Sequence, residues 1–383
     1  MRVLMVTPSY FPILGGTETY VQQLTHILNQ KKGMHADVMT YNMDSKWSPT
    51  NRDEIIKEDG FKVFRVPAYN PRILKGLYHE LFNVHVIPKL DFTGEFRNYD
   101  IIHFHDDTDV SLPLFSYFVN APKKSRLLHC HTLPYTYDRY KRNLLLRTLF
   151  KKVADLYVGL SKHTLRFLLD LGLPKAKLAI LPNAVDTETF RPNDNRKIDN
   201  LILFVARIIP TKGLDVLLKA LFHLDIQTQV IIIGPVGDQS FFSYVQRLIR
   251  KVNDETLHEV TYIGPLYEND LIKWYQKAAI FAAPAIWEHF SISNLEALAC
   301  GTPVISTPIG ATPEVVKDGL NGMLVPPNEP LALASALEKL LKNETLRELY
   351  GRRGREIVEN FFSWKIVSEK VTEIYRRLLP IEI

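Results

Sequence analysis

Leu201-Ile202-Leu203-Phe204-Val205-Ala206-Arg207-Ile208-Ile209-Pro210-Thr211-Lys212-Gly213-Leu214-Asp215-Val216-Leu217-Leu218 spells a strand, a loop and a helix in that order. Leu201 to Val205 is a short apolar run, the signature of a strand covered on both faces of a sheet. From Gly213 to Leu224 the apolar residues recur at helical spacing, so an amphipathic helix follows the loop. The unit then repeats, with strands expected at Gln229 to Ile233, Val260 to Ile263, Ile280 to Ala283, Pro303 to Thr307 and Gly322 to Val325. Such βα alternation predicts a parallel sheet with helices on both sides.

Upstream of this restart lies Arg191-Pro192-Asn193-Asp194-Asn195-Arg196-Lys197, which offers a core nothing apolar and reads as a linker. Before it the same alternation appears once already, in Val3 to Thr7, Asp37 to Tyr41, Lys62 to Val66, Ile101 to His105, Arg126 to His131, Leu156 to Leu160 and Leu178 to Leu181. A chain of 383 residues is long enough for two cores. The expected division is 1–190, then 198–360, with 361–383 forming a helix that packs back on the first domain. Two such sheets would face one another across a cleft at the carboxyl ends of their strands, where open α/β sheets bind ligands.

Composition narrows the classes. Apolar residues make up 46% and charged residues 23%, and no apolar run reaches the roughly 20 residues that cross a bilayer. Pro8 stops the opening run after Thr7, so that run reads as a first strand and not as a leader, and a cytoplasmic location is expected. Cys130 and Cys300 are far apart among apolar or small neighbours, giving neither a disulfide framework nor zinc spacing. A net charge of +5 without a basic stripe argues against nucleic acid as partner. Tyr137 to Val158 interleaves Arg139, Lys141, Arg142, Arg147, Lys151 and Lys152 with Leu144, Leu145, Leu146, Leu149 and Phe150. It reads first as a surface helix with its leucines in the core, and second as a basic amphipathic helix able to lie on anionic lipid at the inner membrane surface.

Chemistry concentrates in three places. Arg207 and Lys212 share a loop with a helix N-terminus, an arrangement suited to a diphosphate, because fixed cations and free amides neutralise charge on a leaving group. A charge pair near 4 Å is worth about 4 kcal/mol at an effective dielectric of 20, so several donors must act together. Trp287-Glu288-His289-Phe290-Ser291-Ile292-Ser293-Asn294-Leu295-Glu296 follows the strand Ile280 to Ala283 and runs into a helix ended by Gly301. Its loop carboxylate can accept from sugar hydroxyls, its helical one from a ribose diol, and its amides can hold phosphate. Ser293 with Glu296 equally fits a capping box. Thirdly, His103 and His105 leave one strand and His129 and His131 the next, near Asp106, Asp107 and Asp109. That cluster allows a metal-dependent hydrolase, although alternate residues of a strand share a face without any metal.

The spacing of Glu288 and Glu296, the Arg207 to Lys212 loop and the paired Gly15-Gly16 together resemble the retaining glycosyltransferases of family 4, which include bacterial mannosyltransferases and sucrose synthase. The likeness runs over nearly the whole chain, through Pro182-Asn183-Ala184-Val185-Asp186 and Phe362-Ser363-Trp364. It implies the GT-B fold of two Rossmann-like domains, a UDP- or GDP-sugar as co-substrate, no metal or other cofactor, and a glycan, lipid or small-molecule acceptor. By that resemblance Arg207 and Lys212 hold the diphosphate, Glu288 the donor sugar and Glu296 the ribose. Phe290, Ser291, Ile292 and Ser293 line the donor, Gly264, Pro265 and Leu266 pass the base, and Gly16 lies beside the phosphate. His131 lies against the sugar, with Ser161 and Lys162 at a neighbouring strand end. Thr307-Pro308-Ile309-Gly310 and Glu314 support the same stretch. The same scaffold could also carry a catalytically silent binding protein.

Overall fold

A computed structural model of the chain describes residues 1–11, 16–42, 54–58, 60–69, 87–88, 97–105, 125–131, 133–193, 197–266 and 268–379. It divides into two compact units, one of residues 1–182 with 367–383, the other of residues 183–366.

The first unit is built on β1 (Arg2–Thr7), β2 (His35–Tyr41), β3 (Glu54–Glu58), β4 (Phe61–Val66), β5 (Ala68–Tyr69), β6 (Ile87–Pro88), β7 (Ile101–Phe104), β8 (Ser125–Cys130), β9 (Leu156–Gly159) and β10 (Leu178–Ile180). Its main sheet runs in the order β10-β9-β8-β7-β1-β2-β4-β3. Every pairing is parallel except that of β3 with β4. The strands are apolar nearly throughout because both faces are covered, so β1 buries every residue after Arg2. Helices α1 (Gly16–Gln30), α2 (Leu133–Arg142), α3 (Leu144–Phe150) and α4 (Lys162–Asp170) belong to this unit. So does most of the last helix, Trp364–Leu378, whose Tyr375 is wholly buried.

The basic segment is two helices and not one. Asn143 interrupts it, its side chain accepting from the amide of Leu146 as the cap of α3. Leu146 and Phe150 enter the core, whereas Leu144 and Leu145 remain 67% and 53% exposed, so the expectation that all the leucines are buried does not hold.

The second unit is a parallel sheet in the order β13-β12-β11-β14-β15-β16. Its strands are β11 (Ile198–Val205), β12 (Gln229–Ile233), β13 (Glu259–Gly264), β14 (Ala278–Ala283), β15 (Val304–Ser306) and β16 (Gly322–Leu324). Between and after them come α5 (Leu214–Leu221), α6 (Gln239–Glu255), α7 (Glu268–Lys277), α8 (Ile292–Ala299), α9 (Thr312–Val315), α10 (Pro330–Leu341) and α11 (Glu344–Phe361). One apolar cluster joins Phe204, Leu217, Leu221, Ile232, Ile280, Leu333 and Leu337.

Asn183 to Phe190, upstream of the polar stretch at 191–197, fasten to the second unit. Val185 donates to the Phe362 carbonyl at 2.9 Å, and Trp364 donates to the Val185 carbonyl at 3.2 Å. The Arg355 guanidinium donates to the carbonyls of Phe190 and Thr187 at 2.6 and 2.9 Å. These bonds carry the division back to Pro182.

Candidate functional site

In the second unit the strand order reverses between β11 and β14, which lie side by side. Loops leaving the carboxyl ends of two such strands diverge and open a crevice, the usual ligand position in an open α/β sheet. Arg207 to Gly213 leave β11 there, and Pro284 to Ser291 leave β14. The Thr211 carbonyl accepts from the amides of Ile286 and Trp287 at 2.8 and 3.2 Å, joining the loops through their backbones.

Two glycines set how closely the chain can pack there. Gly213 has φ +72°, and a Cβ on it would stand 1.9 Å from the Pro284 carbonyl oxygen. Gly310 has φ +58°, and its Cβ would stand 2.1 Å from the Glu288 carbonyl oxygen. Left-handed backbone and close approach both call for the residue without a side chain. The Thr307 hydroxyl donates to the Ala285 carbonyl at 2.6 Å, and the Ala311 amide to that of His289 at 2.9 Å, so the loop after β15 buttresses the loop after β14.

This packing brings Lys212 and Glu288 together. The ammonium lies 2.6 Å from Oε2, and Oε1 accepts from the His289 amide at 3.0 Å. The two side chains retain 25% and 14% of their exposure, enough for a ligand to reach both. Arg207 is exposed, its stem crosses Gly237, and it forms no ion pair among the described residues. A lysine, an arginine, the start of α5 and a carboxylate thus share one strand end, the components needed to hold a diphosphate next to a hydroxylated group.

The alternative structural role for Glu296 is not the one the structure shows. Ser291, not Ser293, caps α8, accepting from the amide of Asn294. Glu296 instead accepts from the Tyr275 phenol at 2.7 Å, and its carboxyl is pushed up to about 7 by burial, against the pull of that hydrogen bond. Phe290 is buried with its ring 6.1 Å from that of Phe362, so its side chain serves the core. Ile292 and Ser293, in the first turn of α8, are half-buried. Gly264 ends β13 with φ +83°, its carbonyl accepting from Gly234 at 3.0 Å, and Pro265 and Leu266 continue from this outer strand.

In the first unit the corresponding reversal lies between β1 and β7. Gly16 opens α1 and is exposed, while Gly15 lies outside the described residues, as do Asp106, Asp107 and Asp109. His103, His105 and His129 are wholly buried and His131 nearly so. Tyr375 and Nδ1 of His103 share a hydrogen bond of 2.7 Å, and His129 Nε2 meets the Leu181 carbonyl at 3.1 Å. His105 faces His131 at 3.4 Å and the Met5 sulfur at 3.3 Å. Burial drives all four imidazoles below their ordinary range; for His129 the value is about 3, held up somewhat by the Leu181 carbonyl. Ring nitrogens of His103, His105 and His129 lie within 4.8 Å of one another, a set that could hold a metal ion. Ser161 is used locally, as the cap of α4.

Comparison with known proteins adds the relationship. The family described as Glycosyltransferase Family 4 matches residues 14–189, and that described as Glycosyl transferases group 1 matches residues 185–357. An uncharacterized glycosyltransferase of Methanocaldococcus jannaschii is 28% identical over 99% of both chains. The chain is a GT-B-fold relative of the family 4 and group 1 glycosyltransferases. Sucrose-phosphate synthase from Thermosynechococcus elongatus superposes with a TM-score of 0.76 at 22% identity, covering 99% of each chain. An Anabaena protein solved with UDP-glucose gives 0.75 at 17%, covering 98% of this chain and all of the other.

In this glycosyltransferase relative, Arg207, Lys212, Glu288 and Glu296 fall inside the group 1 match, and His131 inside the family 4 match. Tyr275 was not foreseen from sequence, since nothing in the spacing of α7 singles it out. No helix among the described residues is long and apolar enough to cross a membrane.

Proposed function

We propose that the chain transfers a sugar from a nucleoside diphosphate to an acceptor hydroxyl, with retention of anomeric configuration. The observation that carries this reading is the Lys212–Glu288 pair at the strand reversal of the second unit, where Arg207 leaves the same strand end and forms no ion pair among the described residues. The UDP-glucose held by the Anabaena protein supports a nucleotide sugar as donor.

Before the donor arrives, Lys212 and Glu288 satisfy each other. An incoming diphosphate competes for the ammonium and draws Arg207 and the amides at the start of α5 toward its oxygens. Glu288 is then free to accept from sugar hydroxyls, and Glu296 from the ribose. As the anomeric carbon–oxygen bond breaks, charge grows on the departing diphosphate, where the two cations act. The acceptor oxygen attaches on the same face, and its proton passes to the phosphate oxygen that leaves. Acceptor binding is assigned to the first unit. The hydrolase reading has less behind it. A catalytic metal keeps one coordination position open, whereas the three clustered imidazoles are wholly buried.

A thermal-shift screen of UDP-, GDP- and ADP-sugars, followed by NMR of the anomeric proton in the product, tests the proposal. A stabilising donor and a product of unchanged anomeric configuration are expected. A folded protein indifferent to every donor defeats the transfer reading, and an inverted product defeats retention alone.

A further inference from the structure

The Glu296 carboxyl has one hydrogen-bond partner among the described residues, the phenol of Tyr275, which donates to Oε2 at 2.7 Å. That phenol comes from α7, so the carboxyl of Glu296 on α8 is held by a side chain from another helix. Tyr275 cannot easily move with its partner. It is wholly buried on α7, with the rings of Phe281 and Phe190 at 5.6 and 6.1 Å. Its carbonyl accepts from the Thr302 hydroxyl at 2.6 Å, and that hydroxyl accepts from the Lys197 ammonium at 2.6 Å. Glu296 itself is only half-buried, and its Oε1 accepts from no described residue.

We propose that Tyr275 is a positioning residue for ribose recognition: by holding Oε2 of Glu296 it keeps Oε1 presented to the diol of a nucleotide. The inference rests on the reading of Glu296 as the ribose contact, and adds what makes that contact selective. A carboxylate free to rotate must be ordered when the ribose binds, whereas one already held by a buried phenol loses less freedom. The phenol spends its only proton on Oε2, and Oε1, which accepts from no described residue, is left to a ribose hydroxyl.

The arrangement also fixes a pH dependence. A carboxylate serves a diol as acceptor only when ionised, and burial has pushed this one up to about 7. The titratable groups that interact with it are Tyr275 on α7 and Cys300 at the end of α8, and Lys197 before β11 and Arg355 on α11 act in turn on Cys300. Preference for ribose therefore rises as pH increases through about 7 and fades below it. The phenol's hydrogen bond favours the ionised form, so its loss moves the midpoint to higher pH.

Calorimetry with UDP and GDP, and with their 2′,3′-dideoxy counterparts, separates positioning from mere packing. In the wild type the better ribonucleotide should bind about tenfold more tightly than its dideoxy form, as expected for a hydrogen bond to a charged group. Tyr275→Phe should lose most of that ratio while leaving dideoxy affinity near wild type, and its midpoint should move up in pH. Equal weakening of both nucleotides, or a ratio and midpoint at the wild-type values, overturns the proposal. If Glu296→Gln keeps the full ratio, or if wild type binds neither nucleotide, the underlying ribose reading fails and the proposal falls with it. Should Tyr275→Phe not fold, the wild type decides: a ratio that stays flat between about pH 5.5 and about pH 8.5 contradicts the proposal.

Discussion

The strand ends at β11 and β14 flank the reversal of the second sheet, and those at β7 and β8 lie at and next to the corresponding reversal of the first, yet their polar chemistry differs. At the former, an ammonium and a carboxylate meet 2.6 Å apart with water still able to reach both. At the latter, imidazoles are packed against one another out of reach of solvent, and His103 Nε2 and His129 Nδ1 have no hydrogen-bond partner among the described residues. Solvent access sets the role more than topology does. A charge that must exchange partners with a ligand has to remain reachable, while a buried imidazole stays neutral and shapes the wall around it.

The largest effect expected from this contrast is on rate. Lys212→Ala removes a cation that acts on the leaving diphosphate and should lower kcat by about 10²- to 10³-fold, the scale seen when one electrostatic donor is lost. The urea midpoint should hardly change, because a partly exposed ion pair contributes about 1 kcal/mol or less. Turnover at the wild-type level would remove Lys212 from the chemistry.

Acid should separate the two regions next. The four imidazoles have folded-state values below the usual 6.5, so the unfolded chain binds protons that the folded one refuses. Their contribution is complete above about pH 7 and is lost as pH falls below the unfolded value. For His129 the loss continues down to about 3, at about 1.4 kcal/mol per pH unit. Hydrogen exchange followed by mass spectrometry between pH 7 and pH 4 should show β7 and β8 losing protection before β11 and β14. Simultaneous loss would mean that the histidines do not set acid stability.

The smallest effect is structural. Tyr375→Phe removes the hydroxyl that bonds His103 Nδ1 and leaves a second buried nitrogen on that ring unsatisfied. It should cost about 1–3 kcal/mol in urea unfolding at pH 7.5, with nucleotide affinity unchanged. A weaker nucleotide would join the two regions more closely than the comparison allows.

The sheets were readable in the sequence because strands buried on both faces are short apolar runs, and β1, β7, β11 and β14 all have that form. The loop from Arg207 to Lys212 and the position of Glu288 were readable because each lies directly after such a run. What could not be read depends on partners brought together by packing. Tyr275 meets Glu296 across a separation of 21 residues, between two helices whose contact no local pattern encodes. Ser293 and Glu296 fit a capping box by spacing, but Ser291 stands at the turn into α8 and takes the cap. The boundary at Pro182 was hidden for the same reason: the carbonyls of Thr187 and Phe190 are held by Arg355, far along the chain. Asn143, a single capping residue within a basic and leucine-rich stretch, was enough to turn one expected helix into two.

The last helix carries a consequence for the order in which the molecule can be made. Tyr375 enters the interior of the first unit, and the Leu378 carbonyl accepts from the Ser125 hydroxyl at 2.6 Å. A ribosome releases residues 1–182 early, yet the helix that closes them emerges only after the whole second unit has been synthesised. The sheet translated first must therefore wait, partly uncovered, while its neighbour can already fold, and a nascent chain stalled near residue 366 should expose its unfinished half to chaperones and proteases.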